Sequence, residues 1–377
     1  MIIRRLLPIA AAAALYAGAP GVFAEEIVVS AQLPLTGSQA SFAGQNQKVA
    51  AEIAAERING EHLIGPNRTL RLIVDDDASD KTQAISLTSK SANTDNAIAI
   101  LGPNGSYLSL AAAPVANSLQ ISMLTFAVST GITKAGPWTF KMLNEPIVPM
   151  TIIGNLISSR LKAKKLAIVY DRTNDASVNA THELTELMKD AGVEVVSADS
   201  TAPQDSNFAP LASKLLSESF DTLWLEQLPP VSANILIQLR QAGMSPDVRV
   251  VGSQQMGSPT FLRIAGKAAE GVYYPVDYYS GLDTPENKAF VAAYRDRMHQ
   301  RPDSVAAAAY AGLMIIAEAA KAAGPNADRQ KVRDAMAKIR NLPTIWAQGS
   351  FSFTDDRSAT YELPVVRITD GEDVMMK

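Results

Sequence analysis

Short apolar runs alternate along the chain with longer segments whose apolar positions recur at helical spacing. Ile27-Val28-Val29 begins a predicted strand ending near Leu33, and the turn-rich loop Pro34-Leu35-Thr36-Gly37-Ser38 follows. Gln45 to Ile58 reads as a helix, with Val49, Ile53 and Ile58 on one face and Asn59-Gly60 as its stop. Leu70 to Val74 is a strand, and Asp80 to Ala92 a helix capped by Ser79 or Asp80. Ile98 to Leu101 is apolar throughout, as a strand covered on both faces would be. The turn Gly102-Pro103-Asn104-Gly105 then leads to a helix opening at Ser106, and Ile121 to Leu124 is the next strand. The same rhythm restarts after Pro146. Helices near 147–160, 177–191, 208–218, 231–242 and 259–265 alternate with strands near 166–170, 193–196, 222–225, 248–251 and 271–276. Three helices follow near 286–299, 304–323 and 328–340, and then predicted hairpin strands at 349–354 and 363–368 around Asp355-Asp356-Arg357.

Strands alternating with helices imply βαβ units, hence parallel sheets covered on both faces. Two runs of the pattern imply two sheets. Ligands in such folds bind outside the carboxyl ends of strands. The loops after Leu33, Leu101, Leu124, Tyr170, Leu225 and Val251 are therefore the functional candidates.

Composition narrows the chemistry. The 377 residues hold 34 Lys plus Arg, 38 Asp plus Glu, three His and no Cys, for a net charge of −4. Disulfides, thiolate metal sites and catalytic thiols are excluded. His62, His182 and His299 stand apart in sequence, which argues against a histidine-rich metal centre. The charge offers no basic footprint for nucleic acid. Length favours two domains. At the amino terminus, Arg4 and Arg5, the uncharged run Leu6 to Ala17 and the small residues of Val22-Phe23-Ala24 form an export signal, with cleavage expected after Ala24. Asn96 to Thr133 carries no charge at all yet contains Pro103, Asn104, Gly105, Pro114 and Asn117, so it is buried strand, turn and helix rather than a membrane span.

Catalytic signatures are missing. The chain has no Walker loop, no Gly-x-Gly-x-x-Gly and no Gly-x-Ser-x-Gly. His182-Glu183 with Glu186 lacks the second histidine of a zinc helix. Asp75-Asp76-Asp77 with Asp80 lacks the rest of a calcium loop and reads as caps and turns. Asn104-Gly105-Ser106, by contrast, opens a helix after a strand and could seat an anion on backbone amides. The aromatic cluster Tyr273-Tyr274, Tyr278-Tyr279 around Pro275 reads as packing or a hinge.

The order of several short segments resembles the type I periplasmic solute-binding proteins of ABC importers, in their leucine/isoleucine/valine-binding branch. The segments are Leu33-Pro34-Leu35-Thr36-Gly37 with Phe42-Ala43-Gly44, Val74-Asp75-Asp76-Asp77 with Asp80-Lys81-Thr82-Gln83-Ala84, and Leu101 to Ser106. Thr125 to Thr130, Ala167 to Asp171, Gln238 to Gly243 and Ala269 to Val272 continue the series. The resemblance implies an α/β, two-lobed type I fold in which each lobe is a mostly parallel sheet flanked by helices, joined by three crossovers. The first lobe would be 25–143 and 277–346, the second 146–274 and 350–377, with crossovers near Leu143 to Pro146, Tyr274 to Tyr278 and Ala347 to Gly349. It implies a periplasmic, non-enzymatic monomer without cofactor or metal, delivering a small solute to permease subunits in the inner membrane. A sensor module that signals ligand occupancy is the alternative class.

By the same resemblance, Ser106 and Ser129 match the hydroxyls that hold a ligand carboxylate, and Ala127 and Val128 the backbone beside them. Phe42 matches a stacking position that is often Tyr, supplying a face but no hydroxyl. The acidic residue that takes the ligand ammonium in relatives matches Gln254, a neutral amide. The tyrosine positions fall at Asp175 and near Leu228. Either Asp175 or Glu226 could take over the ammonium. If neither faces the cleft, an aromatic or aliphatic acid without an ammonium is expected instead.

Overall fold

The computed structural model describes residues 25–376, so the expected export signal lies outside the described residues. Strands β1 (Glu25–Leu33), β2 (Arg68–Asp76), β3 (Ala99–Asn104), β4 (Ser122–Phe126) and β5 (Thr139–Lys141) pair in parallel, in the order β2-β1-β3-β4-β5. The second sheet uses β6 (Lys165–Asp171), β7 (Glu194–Thr201), β8 (Thr222–Glu226), β9 (Arg249–Gly252) and β10 (Tyr273–Pro275). A small third sheet comprises β11 (Leu342–Pro343), β12 (Ser350–Phe353) and β13 (Ala359–Thr360). Finally β14 (Val365–Thr369) and β15 (Glu372–Met375) return to the second sheet, whose order is β15-β14-β10-β9-β8-β6-β7. Strand order reverses between β1 and β3 in one sheet and between β6 and β8 in the other. In open α/β sheets ligands bind in the crevice at such a reversal, outside the carboxyl ends of the strands.

The helix Ser304–Ala322 is apolar and long enough to cross a membrane, but most of it is buried in the first core, against the helix Gln45–Gly60 and β3. Its small residues allow the close approach. A Cβ at Gly312 would lie 2.7 Å from Leu101 Cδ1, so the leucine would have to shift to admit it. This first core joins β1, β3 and β4 to the helices Pro285–Met298 and Ser304–Ala322. Separate cores fill the two faces of the second sheet.

The end of the chain differs from the sequence reading. β12 pairs with β13, not with β14, and Phe351, Phe353 and Tyr361 pack in the first core, Phe353 edge-on to Phe140 at 5.2 Å between centroids. β14 pairs antiparallel with β10. The chain thus changes sheets between Tyr361 and Val365 rather than near Ala347 to Gly349, because Phe351 and Phe353 of β12 and Tyr361 after β13 complete the first core. The earlier changes of sheet lie between β5 and β6, a stretch that includes Asn144, and after β10, where Asp277 follows.

Candidate functional site

The loops at the carboxyl ends of the strands bring most of the predicted site residues to two faces. On the first, Gly105 is the N-cap of the helix Ser106–Ser118, and no side chain caps that end. The first amides of a helix lack intrahelical acceptors, so this end retains free N–H groups. The Gly105 N–H itself is spent on the Phe126 carbonyl at 2.9 Å. Ser106 begins the helix, so its hydroxyl is not used as a cap. It accepts instead from the Ser129 backbone N–H at 3.2 Å. The Ser129 hydroxyl accepts from the Gly131 N–H at 3.4 Å. Ala127 is buried, while Val128 and Phe42 expose apolar side chains beside these polar groups.

Asn104 is held within the first face. Its Oδ1 accepts from Gln47 Nε2 at 3.1 Å, and its Nδ2 donates to Gln39 Oε1. Gln39 continues to the Tyr107 hydroxyl at 2.9 Å, which donates to the Ser79 carbonyl at 3.0 Å. Asn104 therefore fixes the opening loop to the third strand-to-helix turn. Beneath Val128 lies a cation that the sequence reading did not single out. The Lys141 side chain is fully buried, its ammonium donates to the Val128 carbonyl at 3.1 Å, and it pairs with Glu145.

On the second face, β8 and β9 are paired with Leu225 opposite Gly252, which sets Glu226 abreast of Ser253. Burial pushes the Glu226 carboxyl up to about 7, with the Ser253 hydroxyl opposing the shift. Glu226 Oε2 and both side-chain polar atoms of Gln227 are buried without a partner among the described residues. Unpaired buried polar atoms are costly, and here they gather at the end of one strand. Leu228 is exposed as the N-cap of the helix Pro229–Gln241. Asp175 is also exposed, in the first turn of the helix Asp175–Asp190, where Asn174 is the cap. The amide of Gln254 donates to Asp277 Oδ2 at 2.8 Å. Of the two acidic candidates, Glu226 is the one withdrawn from water. Gln227, Asp277 and Lys141 were missed. The first two follow or interrupt apolar runs that read as strand and hinge.

The family model described as periplasmic binding protein matches residues 26–373. The chain belongs to that family. Among curated proteins, this periplasmic binding protein is 28% identical over 324 residues to the leucine-, isoleucine-, valine-, threonine- and alanine-binding protein of Pseudomonas aeruginosa, covering 85% of each chain. Among solved structures, the branched-chain amino acid transporter substrate-binding protein of Streptococcus pneumoniae in complex with isoleucine matches with a TM-score of 0.73 and 21% identity. That match covers 93% of this chain and 100% of the other. A solute-binding protein of an ABC transporter from Rhodopseudomonas palustris BisB5, in complex with 3,4-dihydroxybenzoic acid, matches with a TM-score of 0.75 and 23% identity, covering 93% and 96%. At these identities the structural matches bear on the fold alone, the two-lobed α/β architecture built on parallel sheets. The family is one of solute binding rather than catalysis, and a periplasmic location goes with it.

Proposed function

We propose that this protein is the periplasmic substrate-binding component of an ABC importer, and that its two lobes close on a small carboxylate-bearing solute of the neutral amino acid type. The reading is supported by two unlike polar faces, each at the carboxyl ends of its own sheet. The first has an uncapped helix start with the Ser106 and Ser129 hydroxyls, which suits a carboxylate. The second has the buried Glu226 carboxyl, whose Oε2 lacks a partner among the described residues, which suits an ammonium. Phe42, Ala127, Val128 and Leu228 would line the space between, with Asn104 and Gly105 shaping its floor, Gln254 at its rear and Asp175 at its rim. The lobes would divide near Asn144, near Asp277 and between Tyr361 and Val365. The mature chain would start after Ala24 and act as a monomer, handing its solute to permease subunits.

A second reading has one observation in its favour. A Glu226 carboxyl that stays protonated near neutral pH donates a hydrogen bond and so could meet a hydroxyl or carboxyl of an aromatic or aliphatic acid. A thermal-shift panel of neutral amino acids, benzoates and aliphatic acids separates the two. A true ligand at a hundred times its dissociation constant adds about 2.7 kcal/mol. Ser129→Ala is expected to weaken that ligand about ten- to a hundredfold by calorimetry, the value of one charge-assisted hydrogen bond of about 1.5–3 kcal/mol. No stabilisation by any member of the panel would sink the transport reading.

A further inference from the structure

The turn after β9 carries an amide, Gln254, that is not free to turn. Gln254 Nε2 donates to Asp277 Oδ2, and Asp277 Oδ1 accepts from the Tyr361 hydroxyl, each at 2.8 Å. The Tyr361 hydroxyl accepts from the Asn144 backbone N–H at 3.4 Å, and the Tyr361 carbonyl accepts from Asn144 Nδ2 at 3.1 Å. One hydrogen-bonded chain thus links the turn after β9 with all three passages between the sheets. Asn144 lies in the first, Asp277 in the second and Tyr361 at the third.

An ionised carboxylate accepts hydrogen bonds and donates none. Gln254 must therefore turn its NH2 toward Asp277 and its Oε1 away from it. We propose that Asp277 is a positioning residue, which fixes the Gln254 amide so that an acceptor oxygen faces the ligand, and which holds that choice against the hinge through Tyr361. The proposal rests on the cleft reading above and deepens it. Gln254 carries no charge, yet its outward oxygen accepts as a carboxylate oxygen would. The ligand group meeting Gln254 is then a donor, an ammonium or a hydroxyl, and a carboxylate there is rejected by two facing acceptors.

The arrangement holds while Asp277 is ionised. Burial pushes its carboxyl up to about 6, and the Tyr361 hydroxyl opposes the shift. The groups that face the carboxylate are Gln254 from the turn after β9 and Tyr361 from the third passage, both neutral, with Tyr361 the titratable one. The Ala347 N–H donates to the Asp277 backbone carbonyl at 2.8 Å. Once protonated, Asp277 carries a donor of its own while Tyr361 still donates to it. The Gln254 amide then turns over to accept, and its NH2 faces the cleft.

The test needs no ligand. The Gln254 side-chain NH2 resonances of the isotope-labelled mature protein are identified as the pair absent from Gln254→Ala. In the wild type they are expected to step with a midpoint near pH 6. One proton should exchange at least tenfold more slowly above the step than below it. Free amides exchange faster as pH rises, so a step in this direction marks the carboxylate. Asp277→Asn should abolish the step, and Tyr361→Phe should keep it with a higher midpoint. A flat response from pH 5 to 8 in folded wild type, or a step that survives Asp277→Asn, overturns the proposal. Should Asp277→Asn fail to fold, an unmoved midpoint in Tyr361→Phe overturns it equally. The ligand panel decides the cleft reading separately, because the amide titration stands whether or not any amino acid binds.

Discussion

A carboxyl buried without a counter-charge keeps its proton to higher pH than an exposed one, and Glu226 is such a group. Its folded-state value near 7 lies above its ordinary 4.5, so the folded protein holds the proton to higher pH than the unfolded chain does. The stability this contributes is full below about 4.5 and is lost as pH rises through about 7. Glu226→Gln should accordingly stabilise the ligand-free protein at pH 8, by about 1–3 kcal/mol on the scale of 1.4 kcal/mol per pH unit. It should change little at pH 4. Calorimetric melts across that range check the sign, and an equal effect at both ends would remove the charge from the explanation. Glu226 was legible in the sequence because a carboxylate directly ends the apolar run Thr222 to Leu225. Asp277 was not. It sits among four tyrosines that read as a hinge, and its decisive partner Tyr361 lies 84 residues away.

At the scale of elements, most helices and buried strands followed from periodicity, and the exceptions were short. β5 has three residues and ends in a lysine, so alternation has nothing to work on. Its role is nonetheless specific, since it places the Lys141 ammonium under the Ser129 loop and against Glu145. Ser358 also donates to Glu145, at 3.1 Å, so β5 is tied to the segment that follows β12. Removing one partner of such a pair strands the other. Lys141→Met is expected to cost about 3 kcal/mol in denaturant unfolding, with much of it recovered in the Lys141→Met, Glu145→Leu double variant. A single variant as stable as the wild type would show that the pair is well solvated. β12 and β14 misled for a related reason. Both look like partners of one hairpin, and only the aromatic contacts of Phe351 and Phe353 assign β12 to the first core.

For the whole molecule, two sheets with their own cores, joined by three thin passages, predict a body that changes shape with occupancy. A single compact domain of this length would have a radius of gyration of about 20 Å. The ligand-free protein is expected to exceed that in solution scattering, and to contract toward it when a ligand from the panel is added. A radius unchanged at saturation would contradict closure. Two lobes were readable from the doubled βαβ rhythm. Their interleaving came from the family resemblance, and the last passage had to be seen in three dimensions.

The return of the chain to each sheet has a consequence for how the protein comes into being. β1, the first described strand, shares a core with Ser304–Ala322 and with Phe351 and Phe353, and β10 waits for β14, which ends at Thr369. Neither half is finished until β12 and β14 have been made. Contacts of such long sequence separation form slowly. The two halves therefore close late and together, with β12 as the last piece of one and β14 as the last piece of the other.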